Sequence, residues 1–198
     1  SSTMPTDRED IPQWACFADV SDDERAMLNY LFNTLGDKQA LAYAEMIRPL
    51  CLERYANRLA KKIDYPVLRE LRAFGYGVER WMEGAADIFV NTPTDPTSDD
   101  YAMQGLYQRN KDNVLAKYAM MAAQNIGQNI VPHAIGVVTG TPWLGAASMG
   151  VSAAGNAKQE GLRAGMSVEQ ANLYGAGVGL AETMTEKLLG GIPGVGDN

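Results

Sequence analysis

A stretch of forty residues without a charged side chain is the feature that most constrains the fold of this chain. From Tyr118 to Ala157 the sequence contains no Asp, Glu, Lys or Arg. It contains instead many glycines and alanines, often three or four residues apart, which is the spacing of neighbours on one face of an α-helix. Because small side chains let helix backbones approach closely and gain dispersion contacts, we predict tightly packed helices in this half of the chain.

The same spacing continues in the last predicted helix, and the two helices together define a predicted packing seam. Its residues are Gly145, Ala146, Gly150, Ala154, Ala157, Ala171, Gly175 and Gly179. A seam of this kind suits a buried protein interface, and in lipid the same pattern drives helix association. Polar residues and Pro132 interrupt the uncharged stretch, so it holds no clean run of about 20 apolar residues. Protein contact and membrane contact are both open alternatives.

Helix start and stop signals predict the fold class. Ser21 and Glu24 form a capping box, as do Ser167 and Gln170, and Gly36 is a typical helix stop. No convincing alternating strand pattern is present. The sequence therefore predicts an all-α protein, a multi-helix bundle of about six helices with a Gly/Ala-rich, close-packed C-terminal half.

Three helices carry more specific expectations. Pro49 lies inside a helical pattern and should kink or split that helix. A helix starting at Ser98 is expected to run through Tyr118, and Thr141–Pro142 predicts the start of another.

Composition and charge suggest four consecutive regions. Residues 1–20 form an irregular arm, 21–92 a charged helical module, 93–97 a linker rich in Pro and Thr, and 98–198 a nearly neutral, Gly/Ala-rich helical module. The chain opens without a signal peptide and ends in a glycine-rich tail, which favours a segment of a longer protein.

The search for chemistry gives little. The net charge of −7 and the pI of about 4.7 argue against nucleic-acid binding, which needs a positive surface. Cys16 and Cys51 fit no metal or redox spacing, and His133 has no Asp, Glu or Cys near it in sequence. Glu182 and Glu186 share one helix face, but no Glu-x-x-His motif accompanies them. We expect no catalytic residues, no cofactor, no metal and no small-molecule substrate; a metal enzyme or hydrolase using this glutamate pair is the least favoured interpretation.

The C-terminal half also resembles a known kind of protein. The resemblance rests on the block Gly150–Ala157, on Glu160-Gly161 and Ala164–Ser167, on Glu169–Gly175 and on Glu182–Gly191. These resemble a helical segment of very large "polyvalent" proteins of phages, prophages and integrative elements in Gram-positive bacteria. The pattern around Asp22–Leu31, with Gly36 and Tyr43, is similar to the helix pair that often precedes it.

The resemblance implies a phage- or prophage-derived structural or ejection protein of the virion, similar in outline to minor virion and tape-measure proteins. Its partners would be further copies of the chain or other virion proteins, and its location the virion or the host cytoplasm, with membrane association after delivery as one variant. The alternative is a helical scaffold or interaction module of a larger multidomain protein with no membrane role.

Overall fold

The computed structural model describes residues 19–190, with side chains described to residue 186. Within that range the chain forms seven α-helices and no strand, which confirms the predicted all-α bundle of about six helices. The helices are α1 (Asp22–Thr34), α2 (Asp37–Lys61), α3 (Leu68–Asp87), α4 (Ser98–Arg109), α5 (Val114–Thr139), α6 (Pro142–Arg163) and α7 (Val168–Gly190). The greater part of the predicted arm, residues 1–18 including Cys16, lies outside the described residues.

The helices group into two compact units that do not follow the chain in order. Among the described residues, unit 1 contains the chain up to Asp64 together with Thr97–Asp112, and unit 2 contains Tyr65–Pro96 and the chain from Asn113 to residue 190. This division differs from the consecutive modules expected from composition. It places α3 with the neutral helices and α4 with the charged ones, because α4 packs on α2 while α3 packs on α5 and α6.

Unit 1 is built from α1, α2 and α4 around a conventional apolar core. The capping box of Ser21 and Glu24 forms as predicted, and Gly36 ends α1 with a positive φ of 92°. The core is a cluster of Val20, Leu28, Ala44, Ile47 and Cys51, with Phe32, Leu41, Tyr43 and Leu52 packed against it. Helix α2 runs on through Pro49 rather than splitting there.

Unit 2 is built from α3, α5, α6 and α7. Gly77 of α3 lies against Gln124 of α5 while Phe74 lies against Gly127, so these two helices are antiparallel. Gly136 lies against Pro142 while Pro132 lies against Gly145, so α5 and α6 are antiparallel. Gly150 lies against Gly179 while Gly161 lies against Ala171, so α6 and α7 are antiparallel as well. In contrast, α3 and α6 run parallel. Gly84 faces Gly155, and three residues earlier on both helices the Ser152 hydroxyl donates to the Trp81 carbonyl.

One predicted helix is corrected by the structure. The helix that starts at Ser98 ends at Arg109 instead of running through Tyr118, and a new helix begins at Val114. Asn113 caps the new helix by accepting a hydrogen bond from the Ala116 backbone amide. The apolar spacing continues across the break, which is why periodicity alone joined the two helices. The expected start of α6 at Thr141–Pro142 is found.

Candidate functional site

The predicted seam residues lie largely inside unit 2. A Cβ atom added at Gly150 would stand 2.6 Å from the Gly179 carbonyl oxygen, and one added at Gly179 would stand 2.5 Å from the Gly150 carbonyl oxygen. At Gly175 an added Cβ would lie 2.6 Å from the Ala154 carbonyl oxygen. The backbones of α6 and α7 are therefore in direct contact, and a side chain at these positions would force the helices apart.

The other members of the predicted set divide between two neighbours. Ala157 and Ala171 are buried, and Ala171 packs on Gly161 across the α6–α7 pair. Gly145 faces α5 instead, where an added Cβ would lie 2.6 Å from the Pro132 carbonyl oxygen. Ala146 is half-buried. Because contacts within the chain occupy most of this set, a partner molecule would have to use other surfaces.

The same close approach recurs at positions outside the predicted set. Gly84 and Gly155 meet between α3 and α6, Gly77 and Gly127 each meet the backbone of the opposite helix between α3 and α5, and Gly105 of α4 meets Ala56 in unit 1. Glycines inside a helical pattern cost about 1 kcal/mol each relative to alanine. That cost predicts a close neighbour at Gly75, Gly77 and Gly84; the structure supplies one at Gly77 and Gly84, whereas nothing lies within 4 Å of a Cβ added at Gly75.

A row of polar side chains on α6 holds the segment that follows α3. We call Lys158, Gln159 and Arg163 the polar clamp. The Lys158 ammonium, which is buried, donates to the Ile88 carbonyl at 2.9 Å and to the Asn91 side-chain oxygen at 2.8 Å.

The other two clamp residues fix the segment one step further along. Gln159 is buried, donates to the Thr92 carbonyl and accepts from the Thr94 amide, each at 3.1 Å, while Arg163 donates to the Thr94 carbonyl and hydroxyl. Burial raises the pKa of nearby Asp87, against the opposing effect of Arg163, Arg80 and Lys158. Nothing in the sequence indicates the clamp. The clamp binds Thr94, which lies in the predicted linker.

Unit 1 carries a different polar arrangement, centred on Glu24. Both oxygens of this carboxylate accept from the Arg54 guanidinium, at 2.6 and 2.9 Å, and one also accepts from the Ser21 amide. The hydrogen bond from Arg54 lowers the pKa of Glu24 to about 2 despite partial burial, which acts in the opposite direction. Next to it, burial raises the pKa of the Cys51 thiol, followed by the charge of Glu24. The cluster is a structural ion pair with a protonated thiol beside it.

The candidate chemical residues are not brought together. Glu182 and Glu186 are both half-buried on α7, and His133 is exposed on α5. From residue 19 to residue 190, the structure holds no group of three or more His, Cys, Asp or Glu side chains that could bind a metal ion.

An exposed apolar surface is the remaining candidate for interaction. On α7 the face opposite the seam presents Leu173, Gly177, Leu180 and Met184, which we call the outer stripe. Leu173 is 75% exposed and Leu180 66% exposed. Val137, Val138 and Trp143 are exposed where α5 turns into α6. In the described part of the chain, no helix is both long enough and apolar enough to cross a bilayer.

Comparison with known proteins adds no relative. The chain matches no protein-family model, no curated protein and no solved structure. The resemblance to phage and prophage proteins therefore stays a proposal, and the functional argument rests on the surfaces of unit 2.

Proposed function

We propose that this chain is a structural segment of a phage- or prophage-derived virion protein, and that it acts by helix association rather than by catalysis. The resemblance that suggests this setting includes the region of α1 and the start of α2, the part of α6 from Gly150 onward, and α7, which carries the outer stripe. Since the seam is occupied within the chain, association would use the outer stripe.

The observation that carries the proposal is the spacing and exposure of the outer stripe. Its four residues follow at intervals of four, three and four, which is the spacing of the contact positions in a two-helix coiled coil. Exposed apolar residues are common singly, but a continuous row on one helix face indicates a contact surface. The small residues Ala176 and Ala181 flank the row and would let a second helix approach closely.

Gly177 strengthens this interpretation. Among the glycines inside helices from Gly75 to Gly179, only Gly75 and Gly177 have no atom within 4 Å of an added Cβ. Every other such glycine faces a neighbour, most of them at the backbone of another helix. Gly177 carries the helix-propensity cost of about 1 kcal/mol but gains no close packing contact inside the chain. A partner helix crossing α7 at Gly177 would supply such a contact.

A second copy of the chain is the partner we favour. Copies with a net charge of −7 repel one another, so association is least opposed where the facing surfaces carry no charge. The outer stripe is such a surface, and identical stripes can pair about a two-fold axis.

Sedimentation of the full chain, with one exposed leucine changed at a time, tests this. Wild type should sediment as an oligomer, and Leu180→Glu should shift it to monomer because the new charge would be buried against a partner. Leu71→Glu is the matched control, since Leu71 is 61% exposed on α3, and it should leave the oligomer intact. Equal behaviour of the two variants, or a monomeric wild type, contradicts the proposal.

The scaffold alternative, a module that spaces other domains of one long polypeptide, also has a specific observation in its favour. The polar clamp fixes residues 88–94 on α6 through charged and amide side chains that are themselves buried at Lys158 and Gln159. A fixed connecting segment suits a rigid spacer. Capsid and tail genes next to the gene for this chain would favour the virion setting over the scaffold.

A further inference from the structure

The turn between α5 and α6 combines exposure with apolar character. Val137 and Val138 close α5 and are 67% and 84% exposed, and Trp143 in the first turn of α6 is 58% exposed. Only Thr139, Gly140, Thr141 and Pro142 separate them. We call residues 137–143 the tip.

The tip stands at the end of a hairpin that carries no formal charge over a long distance. The nearest charged residues along the chain are Lys117, on α5, and Lys158, on α6. At 1.5 Å per helical residue these lie about 30 Å and about 22 Å from the tip. His133, one turn before Val137, is the one side chain in between that can become a cation.

Both threonine hydroxyls of the tip and the amides of Gly140 and Thr141 find partners in the tip or in the last turn of α5. The Thr139 hydroxyl donates to the Ile135 carbonyl at 2.6 Å, and the Thr141 hydroxyl donates to the Thr139 carbonyl at 3.2 Å. Gly140 is left-handed with φ 64°, which lets its own amide and that of Thr141 donate to the last carbonyls of α5. Internal bonding lowers the cost of moving the tip into a less polar medium.

Charged residues of two neighbouring helices lie near the level of the tip: Glu186 of α7, because Gly150 pairs with Gly179 and Thr183, and those at the start of α3. Because α3 runs parallel to α6, with Gly84 at Gly155, counting back along both helices places Leu68–Leu71 within about one helical turn of the tip. This segment adds exposed Leu71 and Val67, the latter with an unusual φ of 72°. Arg69, paired with Glu70 at 3.3 Å, and exposed Arg72 lie just behind them.

We propose that the tip docks on the surface of a phospholipid bilayer, with Val137, Val138 and Trp143 entering the interfacial region. Tryptophan suits this depth because its ring is apolar and its N–H is polar. An acidic chain with an uncharged tip should prefer zwitterionic lipid over anionic lipid. This inference does not depend on the proposed self-association, which uses α7.

A protein partner fits the tip less well. A stable protein interface buries about 800 Å² on each partner and takes 20 to 30 residues, roughly. A convex turn with three large apolar side chains offers far less area. A bilayer sets no such minimum, since each side chain that enters it contributes separately.

Flotation of the full chain with phosphatidylcholine vesicles tests the proposal. Wild type should float with the vesicles, and Val138→Asp should reduce the bound fraction at least about tenfold, because a charge replaces an inserted side chain. Leu115→Asp is the matched control: Leu115 is 85% exposed, close to the 84% of Val138, but lies at the far end of the same helix. It should bind like wild type, and circular dichroism should show both variants folded.

Tryptophan emission gives a second, local measurement. Adding vesicles should shift the emission of wild type to shorter wavelength, and Trp143→Phe should abolish that shift although Trp14 and Trp81 remain. Absence of wild-type binding to phosphatidylcholine, binding to anionic vesicles alone, or an equal loss in the Val138→Asp and Leu115→Asp variants would overturn the proposal. It is equally overturned if Val138→Asp acts only by dissociating an oligomer in solution, which would make the tip a protein interface.

Discussion

The two units are held together by different means. In unit 1 the fully buried large side chains are apolar, Leu28 and Leu106, and bidentate ion pairs such as Glu24–Arg54 and Asp19–Arg58 join its parts. In unit 2 the corresponding residues are Met120, Gln159 and Ser152, two of them polar. Apart from the approach of Gly105 to the Ala56 backbone, unit 1 packs side chain on side chain, whereas unit 2 packs backbone on backbone at many of its glycines.

This difference predicts opposite tolerances to mutation. Unit 1 should lose stability when a large core side chain or a charge is removed, as in most small domains. Unit 2 should lose stability when a side chain is added at these glycines, because its closest helix contacts lie where side chains are missing. The glycine content of the second half is thus a stability requirement rather than a source of flexibility.

Adding a side chain at the α6–α7 contact should have the largest effect. Gly150→Leu places atoms where the Gly179 carbonyl and the Thr183 side chain already lie, and separating the helices should cost more than about 4 kcal/mol. Hydrogen exchange should show the loss of protection in peptides from unit 2. Gly75→Leu, at a glycine of α3 that faces open space and lies outside the outer stripe, should cost nothing in stability. Comparable destabilisation by both variants would refute the backbone-contact account.

The second-largest effect should come from acid, which should destabilise unit 1 through Glu24. The pKa of Glu24 is about 2 in the folded chain and 4.5 ordinarily, so its contribution is present above pH 4.5 and lost as the pH falls towards 2. We expect a loss of about 2 kcal/mol in unit 1, allowing for the partial exposure of Arg54. Urea unfolding above pH 4.5 and again near pH 2 measures this loss of unfolding free energy.

Two glutamine variants sharpen this measurement. Glu24→Gln should remove that part of the acid dependence, since the carboxylate is gone. Glu45→Gln should not, because Glu45 and Arg48 form an exposed pair at 3.8 Å. An unchanged acid response in Glu24→Gln would assign the effect to other carboxylates.

The smallest of these effects should come from the polar clamp. Lys158→Met leaves the Ile88 carbonyl and the Asn91 side chain without their donor, at a cost of about 1 to 2 kcal/mol. Hydrogen exchange should accelerate over residues 88–94 while the α6–α7 contact stays protected. The exposed Lys117→Met variant should change neither region, and a global loss of protection in Lys158→Met would mean that the clamp supports the whole unit.

The parts of the fold that depend on local chemistry could be predicted from sequence. The capping boxes at Ser21 and Ser167 form because each side chain, the serine hydroxyl and the Glu or Gln three residues later, accepts a hydrogen bond from the backbone amide of the other residue. The start of α6 at Pro142 follows from the missing amide of proline in the same way. Tertiary contacts do not alter signals of this kind.

The parts that depend on chain topology could not be predicted. Composition placed α3 with the charged helices, but its glycines at 77 and 84 match the backbones of α5 and α6, and only the fold shows which helices meet. Of the predicted seam residues, Gly150, Gly175 and Gly179 lie at the α6–α7 contact and Gly145 faces α5, but their spacing could not reveal whether the neighbour lies in the same chain. The clamp was invisible because Lys158 and the segment it holds lie some seventy residues apart.

The interleaving of the two units governs how the molecule can be made and divided. The chain leaves unit 1 after Asp64, returns to it for Thr97–Asp112 and only then completes unit 2. During synthesis, α4 can complete unit 1 before unit 2 forms. Until α5 and α6 have been synthesised, the glycine-bearing faces of α3 have no helix to pack against. A protease cut or a gene boundary between residues 93 and 97 would therefore not release two domains; it would leave unit 1 short of a helix and unit 2 short of another.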